Sequence, residues 1–121
     1  MIHATFLQDN QGIFLGYTIK GHAGSIVSGQ NILCAAISSL VLTNVNYLET
    51  IKAIAENDCF ADEIEGGIIH LDLTRPIDQK LAEYRQLLVD QLFFGLQAIA
   101  EENPDDVRIN IKIDESRNPE R

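Results

Sequence analysis

Two residues of reactive type stand twelve positions apart, His22 and Cys34, with the glycine-rich segment Gly21-His22-Ala23-Gly24-Ser25-Ile26-Val27-Ser28-Gly29-Gln30 leading into Asn31-Ile32-Leu33-Cys34. An unperturbed thiol is only slightly ionised at neutral pH, so a nucleophilic cysteine needs a device that raises its thiolate fraction. Two devices are at hand. An imidazole with an ordinary pKa of about 6.5 can take the thiol proton and return it to a leaving amine. A helix start supplies unpaired backbone N–H groups and the positive end of the macrodipole. With Asn31 as N-cap, Cys34 falls at N3, inside that first turn. Free N–H groups there would also stabilise an oxyanion, so the pattern suits acyl transfer through a Cys and His pair.

The bland readings stay open beside this one. A cysteine in an apolar helix is commonly an inert packing residue, and a histidine at a strand end is commonly a surface or capping group. The loop tips the balance, because so many glycines cost folding entropy and leave backbone open to an approaching peptide or ligand. Ser38 lies four residues beyond Cys34, on the same helix face, where it could reach the sulfur or bond a carbonyl one turn back. Cys59 beside Phe60 reads as a small buried hydrophobe. His3 and His70 read as exposed or edge strand residues. Neither CxxC nor HxxxH spacing occurs, so no metal site is expected, and the chemistry requires no cofactor.

The elements that must position these residues follow from periodicity. IHATFLQ (2–8) and IFLGYTIK (13–20) flank DNQG and predict a hairpin. The pattern from Asn31 to Glu56 is helical, and its apolar first half must be buried or packed on a partner. CFADEIEGGIIHLDL predicts a second hairpin around Glu65-Gly66-Gly67. Leu81, Tyr84, Leu88, Leu92, Leu96 and Ile99 mark one stripe of an amphipathic helix that opens near Pro76 and stops at Asn103-Pro104. Val107, Ile109, Ile111 and Ile113 alternate with polar residues as a half-buried strand. The order β-β-α-β-β-α-β implies an α+β fold, a mainly antiparallel sheet with two packed helices in an α/β sandwich. Residues 1–113 read as a single domain and 114–121 as a flexible tail.

The 121 residues carry 18 acidic and 9 basic side chains, a formal charge of −9, with 45% hydrophobic residues. A chain of this size buries roughly two thirds of its unfolded surface without disulfides. Its acidity argues against nucleic acid as a direct partner. No basic leader precedes an apolar run and no long uninterrupted apolar stretch occurs, so the expectation is a cytoplasmic protein without membrane attachment. Only Asp9 and Lys20 are charged in residues 1–48, which leaves the remaining acids after residue 48. The run Glu56, Asp58, Asp62, Glu63 and Glu65 is either a solvated face or an attraction for a basic partner.

Gly21-His22-Ala23-Gly24, followed by Gly29-Gln30-Asn31-Ile32-Leu33-Cys34-Ala35-Ala36-Ile37-Ser38, resembles the signature of the ribosomal-processing cysteine proteases, the Prp family. The resemblance implies a homodimeric endopeptidase. It implies Cys34 as nucleophile, His22 as general base and acid, Ser38 as a supporting residue, and the loop between as a flap that orders on substrate. The substrate it implies is the precursor of a large-subunit ribosomal protein, number twenty-seven, from which a short apolar N-terminal extension is removed. The family's usual aspartate three residues before the cysteine is Asn31 here, which keeps capping ability and loses a charge. The alternative reading is a non-catalytic homodimeric module that binds a ribosomal or ribosome-assembly partner.

Overall fold

The structure, a computed structural model, describes residues 1–21, 28–62 and 67–115, with residues 28–31 by their backbone. The strands are β1 (Ile2–Gln8), β2 (Phe14–Lys20), β3 (Cys59–Asp62), β4 (Ile68–Asp72) and β5 (Val107–Ile113), and the helices are α1 (Ser28–Thr50) and α2 (Gln79–Glu102). The expected α+β order is therefore found. The five strands form one sheet in the order β3-β4-β2-β1-β5. Three of its four pairings are antiparallel and β1–β5 is parallel, because α2 carries the chain back across the sheet before β5 enters beside β1.

The first hairpin turns where the sequence places it. The Asp9 carboxylate accepts the N–H groups of Gln11 and Ile13, and Gly12 takes a positive φ of 81°. One sheet face is inward: Ile2, Ala4 and Phe6 of β1, Tyr17 and Ile19 of β2 and Leu71 of β4 are buried. Against them lie Leu33, Ile37, Val41, Val45 and Leu48 of α1, at spacings of three and four, and Val89, Leu92 and Leu96 of α2. A polar strut crosses this layer, with the Tyr17 hydroxyl donating to Asn44 Oδ1 at 2.9 Å and Asn44 Nδ2 donating to the Leu88 carbonyl at 3.0 Å. Burial pushes the Tyr17 phenol far up, so it remains a neutral donor.

Several boundaries depart from expectation. Helix α1 starts at Ser28, so Asn31 is inside the first turn instead of at the N-cap. Extending a formed helix by one turn carries no nucleation cost, and no proline blocks it. The same helix stops at Thr50, short of Glu56. Lys52 adopts a left-handed φ of 64°, the Ala53 N–H bonds Leu48 O, and the Lys52 N–H bonds Glu49 O, which is a Schellman motif. Leu48 and Ala53, both fully buried, close it with an apolar contact. Glycine usually marks such a stop, and here lysine occupies the position. Helix α2 begins after Pro76, with the Asp78 side chain capping the Leu81 N–H at 3.0 Å. Its buried line is Arg85, Val89, Leu92 and Leu96, so Tyr84 of the expected stripe is turned outward. Along β5 the alternation holds but burial fades, Ile111 and Ile113 being exposed at the sheet edge.

Residues 63–66 of the second turn and 116–121 of the expected tail lie outside the described residues. Asp114 still donates its N–H to Gln8 O.

The connections around α2 are held by charge. Arg75 makes a two-pronged contact with Asp58, Nε to Oδ2 at 2.6 Å and Nη2 to Oδ1 at 3.0 Å, and the Ala55 N–H bonds the same carboxylate. The buried Arg85 donates to the carbonyls of Ala53 and Arg75. The hydrogen bond from Arg75 holds the Asp58 carboxyl below its ordinary value. A carboxylate with a depressed folded-state pKa stabilises the fold fully above the unfolded value of about 4 and loses that contribution as pH falls through the folded value. Urea midpoints measured between pH 6 and pH 2 are therefore expected to fall less steeply in Asp58→Asn than in the parent. An identical acid slope in both proteins would contradict this role.

Candidate active site

The ends of four strands and the first turns of α1 converge on a cavity of about 250 Å³. Its walls are apolar: Ile2 from β1, Ile19 from β2, Ile37, Val41 and Leu42 from α1, and Ile69 from β4. Into it open Cys34, half-buried, and Ser38, one turn further along α1, together with Asp62 at the end of β3. Gly21 completes the lining. The structure thus brings Gly21, Cys34 and Ser38 of the sequence-predicted set onto one cavity. His22 and the Asn31 side chain lie outside the described residues.

The revised start of α1 changes the electrostatic argument. Cys34 is the seventh helical residue, so its own N–H lies beyond the first turn, where the macrodipole field has largely decayed. The N–H groups that a helix start leaves without an intrahelical partner are those of residues 28 to 31, about one turn before Cys34. Donors for an anion and the thiol are therefore adjacent but come from successive turns.

Gly21 fixes how the chain leaves β2 toward His22. Its φ is 84°, its N–H donates to Gly67 O at 2.9 Å, and a Cβ built there would run into the carbonyl oxygen of Met1. That approach is against backbone, which cannot move aside as a side chain tip would. Gly21→Ala is accordingly expected to combine positive-φ strain with a clash and to lower stability by about 2 kcal/mol or more. A denaturant midpoint unchanged from the parent would show that the turn tolerates a side chain.

Other sites foreseen from sequence are separate from this cavity. Cys59 is half-buried on the inward face of β3, and burial followed by the nearby Glu49 raises its thiol, so it remains protonated at neutral pH. His3 and His70 are on the exposed sheet face, His70 Nδ1 lying 2.7 Å from Thr18 Oγ1. On α2, away from the cavity, Leu92 is buried, Phe93 packs on Phe6 and Phe14, and Phe94 points outward, at 72% exposure. No cluster of metal-binding groups occurs among the described residues. A wider groove of about 870 Å³, at the other end of β2, is lined by Arg85, Glu83 and Asp90 but by no thiol or imidazole. The cavity walls contributed by β3 and β4 were not foreseen. The acidic run containing Asp62 was their only local signal.

The family model described as cysteine protease Prp matches residues 1–108. The chain is 25% identical over 114 residues to the ribosomal processing cysteine protease Prp of Bacillus subtilis, covering 93% of this chain and 99% of that protein. Among solved structures, SMU.848 from Streptococcus mutans matches with a TM-score of 0.78 at 36% identity, over 94% of this chain and 96% of that one. The Staphylococcus aureus ribosomal processing protease Prp, in complex with a covalently linked product peptide, matches with a TM-score of 0.71 at 26% identity, over 93% and 100% of the two chains.

Proposed function

The chain belongs to the Prp family of cysteine proteases, and from that premise we propose that it is a cytoplasmic cysteine endopeptidase. Its substrate would be the precursor of the large-subunit ribosomal protein number twenty-seven, from which it removes a short apolar N-terminal extension. The observation that carries this reading is Cys34 opening into an apolar cavity in which Asp62 is the one charged lining residue. A cavity of about 250 Å³ has room for an apolar side chain beside the scissile bond, whose carbonyl would then approach the sulfur.

In the first step His22 takes the Cys34 proton, and the sulfur attacks the carbonyl carbon. The oxyanion is met by backbone N–H groups at the start of α1. Collapse of this intermediate breaks the C–N bond, His22 passes the proton to the departing amine, and a thioester remains on Cys34. Water, deprotonated by His22, then hydrolyses the thioester and restores the thiol. Ser38 supports the sulfur from the next turn, and Asn31 contributes from the first turn without the charge of the family's usual aspartate. The step needs no metal or cofactor.

A homodimer belongs to the same proposal. Of Ile32–Thr50, apolar enough by length and composition to cross a membrane, 28% is buried within one chain. Leu40 and Tyr47 of α1 and Tyr84, Leu87 and Phe94 of α2 are exposed on the outer helical layer and offer a seam for a second copy.

The test is direct: the purified protein is incubated with the precursor and the new N-terminus is read by mass spectrometry. A single cut after the apolar extension is expected. An intact precursor would overturn the substrate assignment.

A further inference from the structure

The two edges of the sheet are strands of different character. On one side β5 carries Arg108 and Lys112, cations of the kind that keep an open edge from pairing with another chain. On the other side β3 carries no lysine, arginine or proline, and among the described residues it pairs with β4 alone. Which of its backbone groups face outward follows from the ladder. Leu73 donates its N–H to Leu15 O and Gly67 O accepts the Gly21 N–H, so Ile69 and Leu71, alternating with these, bond toward β2, while Ile68 and His70 bond toward β3. The partners of that second pair on β3 are Asp62 and Phe60. Cys59 and Ala61 are therefore turned the other way, and the Cys59 N–H already closes on Glu56 O. The open edge presents the N–H of Ala61 and the carbonyls of Ala61 and Cys59.

That edge borders the cavity of Cys34. Ala61, itself exposed, lines the cavity, and Ala61, Ile69 and Ile19 are consecutive partners across β3, β4 and β2 that form one row of its floor. Helix α1 roofs the row. Cys34, Ser38 and Leu42, spaced four apart, make the flank of α1 that faces the cavity, and two turns beyond Leu42 the Glu49 carboxylate lies near Cys59. Helix flank and strand edge thus run side by side, with Ser38, Leu42, Phe60 and Ala61 exposed along them. The opposite flank of α1, with Leu40 and Tyr47, is the one that meets α2.

We propose that the apolar extension of the precursor docks in extended form, as a sixth strand on the outer edge of β3, with its backbone bonded by Ala61 and Cys59. This inference rests on the protease reading above and says how the substrate reaches Cys34. An added strand lies about 4.8 Å beyond β3. The peptide residue opposite Ala61 carries its side chain on the inward face, as Ala61 does, into the apolar cavity and beside the flank of Cys34. The residues on either side of it point to the outer face, one of them next to Phe60, 57% exposed. A helical occupant keeps its backbone groups to itself, so the unpaired edge selects an extended chain. Two peptide N–H groups, two residues apart, find acceptors in the carbonyls of Ala61 and Cys59, and one peptide carbonyl accepts the Ala61 N–H. That spacing is the same whether the peptide runs parallel or antiparallel to β3.

The experiment is fluorescence anisotropy of a labelled peptide, spanning the extension and the first mature residues of the precursor, with the Cys34→Ala protein. In a series of such peptides each residue in turn is N-methylated, which removes one donor at a time and leaves the protein unaltered. Two positions, two residues apart, are expected to lose about tenfold in affinity each, and the position between them to lose little. Ala61→Pro deletes the outward N–H without touching the β3–β4 ladder, a substitution that an edge strand tolerates. It should weaken binding about tenfold and, with Cys34 restored, raise KM for the peptide more than it lowers kcat. Should its melting temperature fall well below the parent's, the methylation series decides alone. No binding of the unmethylated peptide, a methylation profile without alternation, or a well-folded Ala61→Pro protein that binds as the parent does would overturn the proposal. An alternating profile in a protein that leaves the precursor uncut would keep the docking edge and remove the protease reading. Cleavage with a featureless profile would do the converse.

Discussion

Cys34→Ala is expected to lower the rate of precursor cleavage by at least about 10³-fold, because in the proposed mechanism Cys34 is the nucleophile, and its removal leaves only binding and oxyanion stabilisation. The side chain is half-buried with its neighbours Ile37 and Val41 packed in the core, and losing one sulfur from a cavity wall has little to collapse. The variant should therefore fold and bind precursor, which separates loss of chemistry from loss of structure. Cleavage at the parent rate would remove Cys34 from the mechanism. The non-catalytic alternative is distinguished by thiol chemistry. An activated Cys34 reacts with iodoacetamide at neutral pH faster than a model thiol, whereas an unactivated one follows the model thiol at each pH. Cys59 contributes little to that signal, since burial and Glu49 keep its thiol protonated. Labelling that persists in Cys34→Ala would assign the reactivity to Cys59 instead.

Phe6→Ala should be the most damaging single truncation of the core, costing about 3–5 kcal/mol. Phe6 is fully buried on β1, a central strand with β2 on one side and β5 on the other. Its ring contacts Phe14 at 5.7 Å, Tyr17 at 5.3 Å and Phe93 at 5.0 Å between centroids, joining two strands to α2. Aromatic pairs in edge and tilted geometries add to the area buried, and the void left behind is walled by rigid rings that cannot close it. For a chain of this length the melting temperature should fall by roughly 10–20 °C. A loss below about 1.5 kcal/mol would mean that Phe93 moves to fill the space.

The sequence carried most of the architecture because the signals are local. The alternation of Val107, Ile109, Ile111 and Ile113 fixes a strand whatever its neighbours are, and DNQG between two β-branched runs fixes a hairpin. Boundaries were less legible. The end of α1 depends on Lys52 accepting a left-handed conformation, and the compensation comes from Leu48 and Ala53 meeting in the core, which no local signal announces. The stripe on α2 was displaced for a similar reason: Arg85 is buried by reaching the carbonyls of Ala53 and Arg75, so a residue that reads as surface is turned inward and Tyr84 outward.

For the site, composition and spacing determined that His22, Cys34 and Ser38 belong to one glycine-introduced segment, with a sulfur nucleophile as its most reactive group. Covalent neighbours and helical period suffice for that. Only the tertiary structure decided that Gly21, Cys34 and Ser38 share a cavity with Ile2, Asp62 and Ile69, and that Cys34 lies in the second turn of α1. The strand order β3-β4-β2-β1-β5 decided that β3 is an edge strand and that its Ala61 borders this cavity. These are contacts between residues far apart in the chain. They are set by which strand pairs with which, and net charge or periodicity, being sums over sequence, carries no record of that pairing.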